Sequence, residues 1–422
     1  MKDNIAAIIL AAGKGVRMRS SLPKVMHQIC NRPMIGYVFD LVKELKIKES
    51  VVVLGHKADV IKKELSPKGK IALQKKLIGT ADAVKEGLAK LKGFKGTVLV
   101  LYGDIPLLKK DTIQKLLKYH AESSSDMTIL TAVTDKPYGY GRIIRDRYNT
   151  ISGIVEEKDA DEVDKDIKEI NTGIICFNKQ KLEATINSVK PNNKKKEYYL
   201  TDLIAIFYKK GYLIESLKAS DINETMGINS RVDLAKANSI MQKRINEEFM
   251  LKGVGIVDTD STFISYGTKI GTDTTIYPFT VIEKDVKIGA RCSVGPFAHL
   301  REGSRLKDDC IVGNFLEITR STIGSKTLAK HFGYIGDSRI GRNVNIGAGT
   351  VTANFDKGEK SLTVIKDGSC IGSDTIFVAP VTIGRNAVTG AGSVVLKNSK
   401  IKDGSVVAGV PAKVLKIRGK NG

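Results

Sequence analysis

The stretch IAAIILAAGKGVRMRSSLPKVMH, residues 5 to 27, sets Lys14, Arg17, Arg19 and Lys24 among Gly13 and Gly15, directly behind an apolar run. Glycines let backbone N–H groups come close to a ligand and clustered cations neutralise anions, so the pattern suits a loop that holds phosphates. It lacks the GK[ST] ending of a Walker loop and is not the GxGxxG of a Rossmann turn. A secretory leader is the competing reading, since Ala11, Ala12 and Gly13 are small. Leaders do not need the cationic loop that follows, whereas a parallel strand covered on both faces explains the unbroken apolar run. Two further stretches carry chemistry. LYGDIPL, residues 101 to 107, puts a carboxylate behind an apolar run, and HFGYIGDSRIGRNVNIGAGTVTANFD, residues 331 to 356, begins with one of only five histidines. A histidine titrates near neutral pH and is the natural base for freeing an amine.

Two different periodicities must position these groups. Up to about residue 228, the runs VVVLG (51–55), TVLVLYGD (97–104), MTILTAV (127–133) and GIICF (173–177) read as strands, and residues 34–46, 80–92 and 111–120 have helical spacing. That alternation predicts a mostly parallel, doubly wound α/β sheet, whose ligands sit at the carboxyl ends of strands. Both the LAAGKG turn and the YGD fall there. From Ile264 every sixth residue is apolar through Ile270, Ile276, Ile282, Ile288, Val294, Leu300, Leu306, Val312 and Ile318, and the frame resumes at Ile340, Ile346, Ile365, Ile371, Phe377 and Ile383. This is the hexapeptide signature of a parallel β-helix, three short strands per coil. The frame slips near 319–335 and 353–362, which predicts loops leaving the prism at both places. Residues 230–253 have helical spacing and end at Gly253. The expected organisation is therefore a nucleotide domain over 1–229, a linker helix over 230–253 and a solenoid over 254–422.

Composition narrows the function. Cys30, Cys176, Cys292, Cys310 and Cys370 lie far apart without a CxxC spacing, which argues against a zinc site or a disulfide framework and fits a reducing, cytoplasmic setting. No apolar stretch approaches the ~20 residues of a membrane span. The net charge of +22 is spread along the chain, aromatics are 6% and tryptophan is absent, so the expectation is a basic surface with anionic small substrates and no nucleic acid.

LAAGKGVRM with LPK resembles the sugar-nucleotide pyrophosphorylase signature. LQKKLIGTADA (73–83), LYGDIPL, GYGRI (139–143), GIVEEKDA (153–160), EINTGI (169–174), EYYLTD (197–202) and GINSR (227–231) follow in the order of one family. With the solenoid included, nearly the whole chain resembles the bifunctional N-acetylglucosamine-1-phosphate uridylyltransferase and glucosamine-1-phosphate N-acetyltransferase family of bacterial cell-wall precursor synthesis. The resemblance implies a Rossmann-like nucleotidyltransferase domain followed by a left-handed parallel β-helix of hexapeptide repeats. It implies that Leu10, Ala11, Ala12 and Gly13 line the nucleotide, with Arg17 and Lys24 on its phosphates and Tyr102 and Gly103 at the substrate. Gln74, Gly79 and Thr80 would read uracil, and Gly141, Glu156, Asn171 and Thr201 would form the N-acetylglucosamine pocket. Asp104 and Asn229 would hold Mg²⁺, the phosphates completing its octahedron. In the solenoid His331 would be the base, Arg301, Tyr334 and Asn345 would hold the sugar phosphate, and Ala348, Asn354, Phe355, Ser373 and Ala391 would bind acetyl-CoA. The implied substrates are UTP, N-acetylglucosamine-1-phosphate, glucosamine-1-phosphate and acetyl-CoA, and the implied assembly is a homotrimer.

The sequence departs from that family at several positions. Asp82 stands where a histidine is common, Thr319 replaces a lysine that meets the sugar phosphate, with Arg320 beside it, Phe355 replaces a tyrosine and Gly409 an arginine. Two alternatives stay open: a single-function nucleotidyltransferase for another sugar, its solenoid a trimerisation scaffold, and a non-catalytic regulatory subunit of the same architecture.

Overall fold

A computed structural model describes residues 4–65 and 69–417. The chain forms two compact units, residues 1–238 and 239–422, and the boundary falls inside one continuous helix, Arg231–Leu251. Early in that helix Asn238 accepts a hydrogen bond from the Cys30 backbone at 2.9 Å, within the first unit. Later, Asn246 donates to the carbonyls of Thr259 and Thr262 at 3.0 and 3.1 Å, within the second.

In the first unit the main sheet runs, in spatial order, Ile214–Lys218, Met127–Val133, Glu169–Asn178, Thr97–Tyr102, Ile5–Ala11, Glu49–Leu54 and Lys70–Leu73. All neighbours are parallel except Glu169–Asn178, which is antiparallel to both its partners. The strand Ile5–Ala11 is central: Ala6, Ile8 and Leu10 pack into the core on one face, and Ala7, Ile9 and Ala11 into the core on the other. Burial on both faces is why its sequence is continuously apolar rather than alternating. The helices Met34–Glu44, Thr80–Leu88 and Lys110–Glu122 match the helical spacing to within a turn. Lys70–Leu73, Ile214–Lys218 and the hairpin Arg142–Arg145 with Ile151–Val155 were not legible as strands. They are short, at the sheet margin and only partly buried, so they carry little periodic signal.

In the second unit successive coils contribute two- to four-residue strands to three parallel ladders, which begin at Gly255–Ile256, Phe263–Ile264 and Lys269–Ile270, and the first ends with Lys413–Ile417 antiparallel to Ser405–Ala408. Every member of the six-residue series from Ile264 to Ile318 is buried except Ile270, which is half-buried on the end coil. Buried hydroxyls satisfy backbone carbonyls of the next coil: Thr274 donates to Gly289 at 2.8 Å, Thr327 to Gly341 at 2.7 Å and Ser369 to Gly384 at 2.8 Å. Glycine follows the inward residue because coils approach closely there; a Cβ on Gly313 would lie 1.8 Å from the Lys330 carbonyl oxygen.

One expected loop is absent. At 319–335 nothing leaves the prism: the corner between the second and third ladders is one residue shorter, so Ile318 is followed by Ile323 and Ile335 by Ile340. Arg320 and Asp337 turn these tight corners with φ of 47° each. The second slip is a true excursion, a two-stranded hairpin of Phe355–Asp356 with Glu359–Lys360.

Candidate functional site

A cleft of about 820 Å³ opens at the carboxyl ends of the central strands. Leu10, Ala11, Ala12, Gly13, Arg17, Lys24, Gln74, Gly79, Thr80, Tyr102, Asp104 and Asn229 line it together. Gly15 turns the loop at φ 63°, where an added Cβ would sit 2.5 Å from that of Lys24, so the loop can fold back over Lys24 only with glycine there. Pro23 leads into a 3-10 turn that begins at Lys24 and aims its side chain inward. The Lys24 ammonium donates to the Asp104 carboxylate and, at 2.6 Å, to the Asn229 side-chain oxygen. Asp233 accepts from the Asn229 and Ser230 backbones at 3.0 and 2.8 Å, fixing this segment at the entrance to the Arg231–Leu251 helix, and Ile228 donates to the Asp104 carbonyl at 3.0 Å. Arg17 is exposed on the rim. Gly103 does not line the cleft; its N–H bonds the Leu10 carbonyl at 2.9 Å and ties the two strand ends together.

Gly141, Glu156, Asn171 and Thr201 form a second cluster outside the cleft lining. Asn171 N–H donates to the Gly141 carbonyl at 2.8 Å, and the Thr201 hydroxyl to Glu156 at 3.0 Å. Tyr102 connects cleft and cluster. Burial, then the charges of Glu156 and Asp104, push its phenol up, which keeps it a neutral donor. Gly173 makes room for the ring, since a Cβ there would come within 2.9 Å of it. Burial raises the Glu156 carboxyl despite the Thr201 hydrogen bond.

Burial, then Glu156 and Asp159, push Asp202 up to about 6. A carboxyl whose pKa is higher folded than unfolded favours folding at pH below the usual carboxylate range and loses that contribution as pH rises through about 6. Asp202→Asn is therefore expected to raise the melting temperature at pH 8 by a few degrees, on the order of 1 kcal/mol after solvent screening, and to give no gain at pH 4. Thermal unfolding at the two pH values measures it.

In the solenoid the structure arranges the candidate residues by corner. Ala329, Ile346, Ile371, Thr389 and Val407 are register partners on the first ladder. Two residues beyond each come His331, Ala348, Ser373, Ala391 and Gly409, so these occupy the same corner of successive coils. The exposed His331 imidazole is thus followed by a column of small residues along one corner of the prism. Arg301 and Tyr334 lie along the second ladder, where Glu317 accepts from Arg301 at 2.8 Å and pairs in register with Tyr334. Asn345 is on the first ladder, across the corner from them. Asn354 and Phe355 are not on the column: the strand Thr350–Ala353 separates them from Ala348, and Asn354 donates instead to Asp337. Asp337 also receives Arg320 in a two-pronged pair at 2.7 and 2.8 Å, while Arg320 reaches the Thr319 hydroxyl at 3.0 Å. Thr319 is 2% exposed, so the arginine is the cation presented here. Glu317, Asp337 and Asp233 escaped sequence reasoning. For the two in the solenoid the signal was frame position, Glu317 falling one coil after His299 and Asp337 one coil after Arg320.

The fold and cleft define a nucleotidyltransferase-type α/β domain joined to a hexapeptide-repeat solenoid. Residues 7–162 match the MobA-like NTP transferase domain, residues 267–301 the bacterial transferase hexapeptide and residues 363–397 the hexapeptide repeat of succinyl-transferase. Proteins called bifunctional protein GlmU are similar throughout: that of Thermosipho africanus is 45% identical, covering 93% of this chain and 92% of its own, and that of Clostridioides difficile 39%, covering 98% and 96%. That of Geobacillus sp. is 41% identical over 92% of both chains. The chain belongs to the bifunctional GlmU family. No helix among the described residues is long and apolar enough to cross a membrane.

Proposed function

We propose that the chain makes UDP-N-acetylglucosamine by two transfers, in the cytoplasm. The first unit moves a uridylyl group from UTP to N-acetylglucosamine-1-phosphate, and the second moves an acetyl group from acetyl-CoA to glucosamine-1-phosphate. The observation that carries the first is the convergence of Asp104 and Asn229 on the Lys24 ammonium in a cleft floored by a glycine loop.

Two oxygens aimed at one cationic point fit Mg²⁺, which is usually held by one or two carboxylates with substrate phosphates supplying the rest. When bound, the ion supplies charge neutralisation at the triphosphate. The sugar-phosphate oxygen attacks the α-phosphorus and pyrophosphate departs. Both reactants are anions, so Lys24 and Arg17 lower their repulsion and steady the leaving group. Tyr102, Glu156 and Thr201 offer neutral donors and one acceptor to the sugar, and no side-chain nucleophile is required.

In the second unit His331 takes a proton from the glucosamine amine. The small column of Ala348, Ser373 and Ala391 admits the coenzyme. Arg301 and Tyr334 lie on one face and Asn345 on the next, so one chain does not close a pocket around a sugar phosphate. Phe279, Phe297 and Phe315 stack at 4.8 and 4.9 Å along the same corner and are exposed, which supports burial against further copies in a homotrimer. A substrate panel tests the reading. UTP with N-acetylglucosamine-1-phosphate should release pyrophosphate faster than with glucose-1-phosphate, and glucosamine-1-phosphate should release thiol from acetyl-CoA. Activity with glucose-1-phosphate alone would favour a single-function enzyme.

A further inference from the structure

Gln74 is only 5% exposed yet forms part of the cleft wall. Its side-chain nitrogen donates to the Gly79 carbonyl at 2.9 Å and to the Asp82 carboxylate at 2.9 Å. A carboxylate and a carbonyl accept and do not donate, so turning the amide over would set its oxygen against two oxygens. With both N–H groups engaged, the amide oxygen is the atom left for a ligand. Asp82 is absent from the cleft lining; it lines a separate cavity of about 340 Å³ with Lys85 and Tyr198.

We propose that Asp82 is a positioning residue which locks the Gln74 amide with its oxygen toward the nucleobase, so that the site accepts a base with a ring N–H and rejects one whose ring nitrogen is an acceptor. This rests on the uridylyltransferase reading. Uracil carries hydrogen on N3 and pairs with the amide oxygen, while the Gly79 N–H donates to a carbonyl on the same edge. Cytosine presents a bare N3 and meets the oxygen as a second acceptor. Without Asp82 one N–H of Gln74 loses its partner, a turned amide sets its oxygen against the Gly79 carbonyl alone, and at that reduced cost cytosine finds a donor. The nearby anion thus contributes selectivity without touching substrate.

The test compares kcat/KM for UTP and CTP, with N-acetylglucosamine-1-phosphate and Mg²⁺, in the full chain and in Asp82→Ala, Asp82→Ser and Asp82→Asn. The UTP preference should fall about tenfold in the alanine and serine variants, chiefly because CTP improves, on the scale of one hydrogen bond to a charged group. Asparagine, whose oxygen still accepts, should restore part of it. A preference within about twofold of wild type, or equal losses with both nucleotides, would overturn the proposal. Calorimetric binding of UTP and CTP to the same proteins reads the preference independently of turnover. If no variant nor the wild type releases pyrophosphate while UTP still binds selectively, the transferase reading fails and the positioning role stands. If alanine does not fold, serine and asparagine carry the comparison.

Discussion

Asp104→Asn is expected to cut pyrophosphate release from UTP and N-acetylglucosamine-1-phosphate by ~10²-fold or more, the scale of removing one electrostatic stabiliser from a dry site. Asn229→Ala should do the same, and both should demand more Mg²⁺ for half-maximal rate. The reason is the shared geometry: both side chains hold the one cationic point that Lys24 now fills. If the two oxygens were only a strut for Lys24, their loss would lower the melting temperature and leave the magnesium dependence unchanged. The metal titration separates the cases, and an unshifted titration curve with full rate would sink the assignment. Excess chelator should abolish wild-type turnover.

The parts of the fold that read clearly are those where one physical constraint acts on every repeat. Burial on both sheet faces made residues 5–10 apolar without interruption, and stacking of coils made Ile264 through Ile318 apolar at every sixth place. Where the constraint is local, the sequence was silent. A single residue lost at Arg320 looks the same, in sequence, as a loop leaving the prism, because both break the frame; the unbroken pairing of Thr322–Ile323 with Arg305–Leu306 and Arg339–Ile340 distinguishes a tightened corner from an excursion. The cleft residues could be assigned one at a time because each sits in its own motif. Their coupling could not. That Lys24 would reach across to Asn229, or that Asp82 would orient Gln74, depends on side chains meeting from segments with unrelated periodicities, and pattern carries no record of that. The solenoid behaves in the opposite way: once coil register is known, the column from His331 to Gly409 follows by counting.

His331→Ala is expected to remove glucosamine-1-phosphate acetylation by ~10² to 10⁴-fold, the range a general base supplies, while pyrophosphate release in the first unit stays at its wild-type rate. An amine attacks a thioester only when unprotonated, and the imidazole is exposed at the head of the column of Ala348, Ser373 and Ala391, beside the second ladder with Arg301 and Tyr334. A histidine holding only the corner together would show itself in stability, yet this side chain is solvent-exposed and so contributes little packing. His331→Asn should therefore melt like wild type and still fail to acetylate. The assay follows thiol release from acetyl-CoA with and without glucosamine-1-phosphate. Arg320→Ala belongs in the same series: since Arg320 overlies Thr319, its loss should raise KM for the sugar phosphate with kcat little changed. Sugar-dependent thiol release at the wild-type rate in His331→Ala would end the case for this base. Its absence from wild type would leave the solenoid as the scaffold on which the uridylyltransferase assembles.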